Sequence, residues 1–341
     1  MRRLIAPLLL ATLLLTGCGA AKEQPSAELN SSELFAMDTY MTLQIYGGED
    51  LLHQGEALIL EMEARLSVTD AASEIAVLNR DGRGPVSPDT AALLSAALEL
   101  CRRTDGALDL SVYPVVRAWG FTTGDYRVPE QEELDALLER VDYTKIRLED
   151  GFVSLTDGME IDLGSVAKGC ASSRVTQLWR ENGVTSALLN LGGNVHALGA
   201  KPDGSPWRVA IQDPFGNGNV GVLEITDKAV VTSGGYERYF EQDGETYWHI
   251  IDPATGRPAR SGLTSVTVIG EDGLVCDALS TSLFVMGLDK AARLWAESED
   301  FEAVFVTEDG RIHITQGLEG SFSPIEAYAG AEVMVINRGQ N

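Results

Sequence analysis

The chain has 341 residues, 44% apolar and 23% charged, an ordinary globular composition that excludes wholesale disorder and a small stapled scaffold. Its 51 Asp+Glu outnumber 26 Lys+Arg, for a formal net charge of −25, so no nucleic-acid partner is expected. The same acidity requires any phosphate-bearing ligand to come with a cation or to meet a locally basic cleft.

At the start, Met1-Arg2-Arg3 is a short basic segment, and Leu4 to Leu15 is an apolar run of signal-peptide length, too short to span a bilayer comfortably. Leu15-Thr16-Gly17-Cys18 follows and resembles a bacterial lipobox. This resemblance implies cleavage before Cys18, lipidation of Cys18 and an extracytoplasmic protein anchored to the cell membrane by lipid. Residues 1–17 are then a lipoprotein signal peptide and 18–33 a flexible tether, small, polar and Pro-containing. Residues 34–341 form a single body. Loss of Arg2 and Arg3 takes the charge to −25 − 2 = −27.

Within the body, Thr39 to Tyr46 alternates and is rich in β-formers, which predicts a strand, and Leu51 to Leu66 carries apolar residues at helical spacing. Ser87-Pro88-Asp89 caps a predicted helix over Thr90 to Arg103, and Glu130 to Val141 predicts another. Strands are expected at Ala187–Leu191, Trp207–Gln212, Val222–Ile225, Val230–Ser233, Tyr247–Ile251, Leu263–Ile269, Ala303–Thr307 and Val333–Ile336. Two helices, Gly169–Glu181 and Asp277–Ser298, interrupt them. Runs of strands with inserted helices predict an α+β fold. Cys101, Cys170 and Cys276, an odd number without metal-type spacing, predict neither a disulfide framework nor a zinc site.

Polar and glycine residues gather at the ends of the apolar runs, in Met37-Asp38-Thr39, Gly106-Ala107-Leu108-Asp109, DLGSVAKG (162–169), NLGGN (190–194), TSGGYERYF (232–240), HIIDPATGRP (249–258) and CDALSTSLFVMG (276–287). None is a nucleophile elbow, a Walker loop or a GxGxxG fingerprint. Asp277 and Thr281 are spaced i, i+4, so on a helix their oxygens share a face, and a carboxylate with a hydroxyl suits a hard cation such as Mg²⁺. His249, at a predicted strand end, is the histidine best placed to take a proton near neutral pH. His53, His196 and His313 lack such company and read as surface or packing residues.

Together and in this order the motifs resemble the ApbE family of FAD:protein FMN transferases. The resemblance implies a bilobed ApbE-like α+β fold, with largely antiparallel sheets, packed helices and a flavin cleft between lobes. It implies Mg²⁺-dependent transfer of the FMN part of FAD to a threonine hydroxyl of target flavoproteins, with release of AMP. It also implies Asp277, Thr281 and the backbone oxygens of Ser165 and Ser280 as metal ligands, and Met37, Ala107, Leu108, Asp109, Asp162, Lys168, Thr232, Ser233 and Ile251 as the FAD-binding set. His249 is the expected base, assisted by the Asp277-bound metal, and Arg238 shapes the cleft. Acceptors implied are FMN-carrying subunits of membrane ion-pumping oxidoreductases or secreted FMN-binding domains. The alternatives are an FAD pyrophosphatase, with water in place of threonine, and a lipid-anchored flavin-binding protein without chemistry. Gly235 departs from the family pattern, which usually has an acidic or amide residue there.

Overall fold

A computed structural model describes residues 28–156, 158–216, 218–328 and 332–339; the proposed signal peptide and Cys18 lie outside them. The backbone of the fold is a nine-stranded sheet ordered Leu29–Ala36, Thr39–Tyr46, Ala187–Leu191, Asn194–Leu198, Ala229–Gly234, Leu263–Gly270, Phe301–Thr307, Ile312–Thr315, Val333–Ile336. All neighbours are antiparallel except the last pair. The fold is α+β, as the pattern of strand runs predicts.

Alternation along each strand feeds two different cores. In Ala229–Gly234, Ala229 and Val231 pack under the Gly273–Met286 helix, whereas Val230 packs on the other face, against the small sheet Trp207–Gln212, Asn219–Ile225, Phe322–Pro324. The Glu49–Leu66 and Gly164–Glu181 helices cover the first four strands. The Gly164–Glu181 and Gly273–Met286 helices cross at glycines. A Cβ on Gly169 would lie 2.5 Å from Asp277 Cβ and 2.7 Å from the Gly273 carbonyl carbon, and one on Gly273 would lie 2.7 Å from the Gly169 oxygen. Only glycine at both positions lets the backbones touch. Ala278 belongs to the core under the first helix and Leu279 to the core under the second, so the crossing is the seam between two packed halves.

Four sequence readings change. The strand read as Tyr247–Ile251 is two, Glu245–Trp248 and Ile251–Asp252, with His249 and Ile250 between them. The strand Leu29–Ala36 pairs along its whole length with Thr39–Tyr46, so the tether reading of residues 18–33 fails for 29–33. The helix read as Asp277–Ser298 is two, Gly273–Met286 and Leu288–Ala296, broken at Gly287, whose φ of 76° is left-handed. Asp272, whose side chain accepts from the Leu274 N–H, is the N-cap, which puts Asp277 in the second turn rather than at the start. The other helix begins at Gly164, five residues before Gly169. Cys101, Cys170 and Cys276 are free and buried. None of the described helices is long and apolar enough to cross a membrane.

Candidate active site

Connectivity brings the motifs to one end of the sheet. The Gly164–Glu181 helix runs away from that end, Ala187–Leu191 returns to it, and the Gly192-Gly193 turn reverses the chain again. Ala229–Gly234, antiparallel to Asn194–Leu198, delivers Ser233 to the same end. There the Met37-Asp38 turn, with both φ positive (49° and 59°), abuts Gly192 through Thr39.

Asp277 is buried, and its Oδ2 accepts the Gly169 N–H at 2.7 Å. In a regular helix that N–H points at the Ser165 carbonyl, so Asp277 competes with that carbonyl for the Gly169 N–H. Burial raises the Asp277 pKa, with Lys168 pulling it back. Ser280, also buried, donates its hydroxyl to the Asp277 carbonyl at 2.8 Å. Ser233 Oγ lies 2.8 Å from Ser280 Oγ and 3.3 Å from Thr281 Oγ1, pinning the strand to the helix. Ser280 therefore fits the metal role least: its hydroxyl is spent, and its carbonyl lies mid-helix in the hydrogen-bond ladder.

His249 follows the strand Glu245–Trp248. Its Nδ1 is 3.2 Å from the Arg238 carbonyl. A carbonyl only accepts, so Nδ1 carries the proton and Nε2 keeps its lone pair. Burial, with Arg238 and Lys168 as positive neighbours, lowers the His249 pKa to about 4. The imidazole is neutral at physiological pH. Asp162 accepts the Gly164 N–H at 2.9 Å, and its pKa is raised by burial and drawn down by Lys168 and Arg238. Lys168 thus stands among Asp162, Glu237, His249 and Asp277.

Of the remaining expected residues, Asp109 is buried as a scaffold group, accepting from the Ser111 N–H and hydroxyl and from the Tyr143 N–H. Leu108 is core and Met37 packs against the same core, its N–H donating to Glu63 at 2.6 Å. The Asp162 N–H bonds the Leu110 carbonyl at 2.9 Å, which carries the Ala107–Asp109 segment to the cleft. The Ile251 side chain packs with Val115, Trp119 and Phe121. Thr232 is a correction: strand alternation turns it to the opposite face from Ser233, where its hydroxyl pairs with Thr267 at 2.8 Å.

Two residues escaped the sequence reading. Glu237 reaches solvent, and partial loss of water among its neighbours pushes its carboxyl above the usual carboxylate range, with Lys168 opposing and Asp277 reinforcing. Asn194 is 2% exposed, and neither Nδ2 nor Oδ1 has a partner. It pairs with Leu191 and Val231 on the helix-covered face, one step toward the cleft from His196, which meets Ser172 at 3.1 Å. One helical turn back from Ser172 lies Lys168-Gly169, so the orphaned amide sits beneath the crossing. A buried unpaired amide points to a missing polar partner. No group of three His, Cys, Asp or Glu able to hold a metal occurs among the described residues. The donors present, one carboxylate with hydroxyl and carbonyl oxygens, fit a hard cation that keeps several waters.

Gly235 has a local reason. A Cβ there would lie 3.0 Å from Trp248 Cδ2, so the indole occupies the room of a side chain.

An α+β protein with a cluster of acidic, basic and imidazole side chains around Lys168 at one end of its main sheet, beside a glycine-tight helix crossing, is the class that the geometry defines. The model of the ApbE family matches residues 37–305, and the chain belongs to that family. The FAD:protein FMN transferase of Klebsiella pneumoniae (strain 342) is 35% identical over 300 residues, 85% of this chain and 93% of its own length. That of Treponema pallidum (strain Nichols) is 33% identical over 323 residues, 89% of each. The crystal structure of the ApbE protein from Thermotoga maritima superposes with a TM-score of 0.81 at 32% identity, covering 86% of this chain and 99% of that one. The flavin transferase ApbE from Vibrio cholerae gives 0.77 at 27% identity.

Proposed function

We propose that this chain is an FAD:protein FMN transferase that moves the FMN part of FAD onto a threonine hydroxyl of an acceptor flavoprotein and releases AMP. The observation that carries the chemistry is the neutral His249, with Nε2 free, sharing Lys168 as a charged neighbour with the buried Asp277. The acceptor hydroxyl gives its proton to Nε2 as its oxygen bonds to the FMN-side phosphorus. The bond from that phosphorus to the bridging oxygen breaks, and AMP leaves with the electron pair. Lys168 and Arg238 offset phosphate charge that an acidic protein would otherwise repel. Asp277, Thr281 and the Ser165 carbonyl would hold Mg²⁺, which when bound neutralises pyrophosphate charge. Asn194 supplies an amide beneath it for a water or phosphate oxygen.

Acceptors of the expected kind are FMN-carrying subunits of membrane oxidoreductases and secreted FMN-binding domains. The family membership and the lipobox-like start also support a lipoprotein anchored through Cys18 outside the cytoplasm, a reading that fails if metabolic lipid labelling leaves the wild type unlabelled. For the chemistry, the full chain is incubated with FAD, Mg²⁺ and an acceptor domain, and acceptor threonine is examined by mass spectrometry. An FMN adduct that Asp277→Asn abolishes is the expected result. FMN and AMP without an adduct would establish the pyrophosphatase instead, and FAD binding without turnover would establish a binding protein.

A further inference from the structure

The hairpin Tyr239–Gln242/Glu245–Trp248 has two faces, and only one is used by the packed protein. Phe240 and Tyr247 stack at 5.3 Å and join Trp119, Phe121 and Tyr126 in an aromatic cluster that reaches His249 through Phe121. The cross-strand pairs Tyr239↔Trp248 and Glu241↔Thr246 share the other face. That face opens onto a cavity of about 760 Å³, within the ~300–1,000 Å³ of ligand pockets.

The opposite walls of this cavity come from Phe215, Tyr236, Arg260 and Glu308. Phe215 and Tyr239 are 53% and 49% exposed, a large apolar area for two residues facing one space. Glu241, Glu245 and Glu308 are exposed on its rim, and none is in an ion pair among the described residues. The one cation on the lining, Arg260, is already committed: its guanidinium lies over Trp248 at 4.0 Å and donates to the Thr246 carbonyl at 2.6 Å. The cavity therefore combines aromatic walls with unanswered negative charge.

We infer that this cavity docks the acceptor protein, taking an extended segment with an apolar side chain and at least one Lys or Arg beside the residue to be modified. The inference rests on the proposed transfer to a protein hydroxyl. Its location supports the assignment as much as its chemistry. Trp248 on the cavity and His249 on the cleft are successive residues, ~3.8 Å apart at Cα. Gly235 and Tyr236 on the cavity likewise precede Glu237 and Arg238 on the cleft. The hairpin base is thus a partition around which a docked segment brings its hydroxyl to His249 Nε2. Water needs no such docking, so hydrolysis of FAD should not depend on the cavity.

Two variants separate the possibilities: Glu241→Lys/Glu245→Lys/Glu308→Lys, which reverses the rim charge, and Phe215→Ser/Tyr239→Ser, which strips the exposed aromatics. Each is compared with wild type against an acceptor domain that the wild type flavinylates, at low and high salt. The expected result for both is a KM for the acceptor raised about tenfold or more, with kcat at saturating acceptor, FAD affinity and FAD hydrolysis unchanged. The wild-type KM should rise with salt and that of the charge variant should not. An acceptor KM equal to wild type in both variants, with FAD affinity intact, overturns the docking site while leaving the transferase reading in place. Absence of adduct from the wild type itself counts against the transferase reading instead.

Discussion

Replacing Gly169 by alanine sets two elementary effects against each other. In an exposed helix interior the change stabilises by about 1 kcal/mol. Here the new Cβ meets Asp277 Cβ at 2.5 Å and the Gly273 carbonyl carbon at 2.7 Å, where carbon pairs rest at about 3.5–4.0 Å, so the crossing must open by about 1 Å. The obstacle is backbone and the root of a buried side chain, which no rotamer relieves. Overpacking of this kind costs about 1–3 kcal/mol. Opening also stretches the 2.7 Å bond from the Gly169 N–H to Asp277 Oδ2, and hydrogen bonds to charged groups contribute about 1.5–3 kcal/mol. The helix gain offsets part, leaving a net loss of about 2–4 kcal/mol. At about 2–4 °C per kcal/mol for a domain approaching this size, the melting temperature should fall by about 4–16 °C. Calorimetry without ligands measures this, and magnesium titration of the same variant should show weaker binding as Asp277 loses its anchor. An unchanged or raised melting temperature would refute the crossing and the Asp277 geometry built on it.

Other perturbations read other parts of the site. His196 is buried with its pKa lowered to about 4 by loss of solvent, so on acidification the unfolded chain protonates first. The stability tied to its neutral form is present above about pH 6.5 and lost toward pH 4, up to about 3 kcal/mol. His196→Gln should flatten denaturant-measured stability over that window, and a curve parallel to wild type would contradict it. Asn194→Leu removes a buried unpaired amide, so the apo protein should be at least as stable as wild type, while FAD affinity with Mg²⁺ falls about tenfold, or about 1.4 kcal/mol. A destabilised apo protein with normal FAD affinity would make Asn194 purely structural. His249→Gln should slow single-turnover transfer about 10²-fold with FAD binding kept, and wild-type kcat/KM should show no loss between pH 7 and 6, since the imidazole is neutral there. A limb near 6.5 belonging to His249 would disprove its buried setting.

The strongly alternating strands and the capped Pro88–Arg103 helix were legible because one buried face leaves a regular apolar period. Leu29–Ala36 was not, since it is an edge strand in which only Ala36 is buried, and LNSSELFA has too little apolar character to betray a half-covered face. The break at Gly287 is hidden because the apolar run 283–286 leads straight into it and apolar residues at helical spacing resume at Leu288, so a single glycine does not interrupt the period. His249, Asp277 and Asp162, far apart in the sequence, share Lys168 as a charged neighbour. Thr232 was misassigned because its neighbour Ser233 takes the cleft-facing position of a period-two strand. Glu237 and Asn194 lie within the motifs TSGGYERYF and NLGGN, but nothing local distinguishes them from their neighbours there, since what singles them out is company from distant segments: Lys168 and Asp277 for one, a helix crossing for the other.

The contact between Gly235 and Trp248 makes those two positions a single heritable unit. A side chain at 235 crowds the indole at 248, which must give by a few tenths of an ångström, and a smaller residue at 248 beside glycine leaves a hole under Arg260 and Phe284. Exchange of this Gly–Trp pair for a larger residue at 235 therefore has one low-cost order of steps: the tryptophan is reduced before the glycine is replaced. Saturation of both codons under selection for flavin transfer should therefore recover Asp or Asn at 235 only beside a small residue at 248, and free recombination of the two would show that the indole can swing clear.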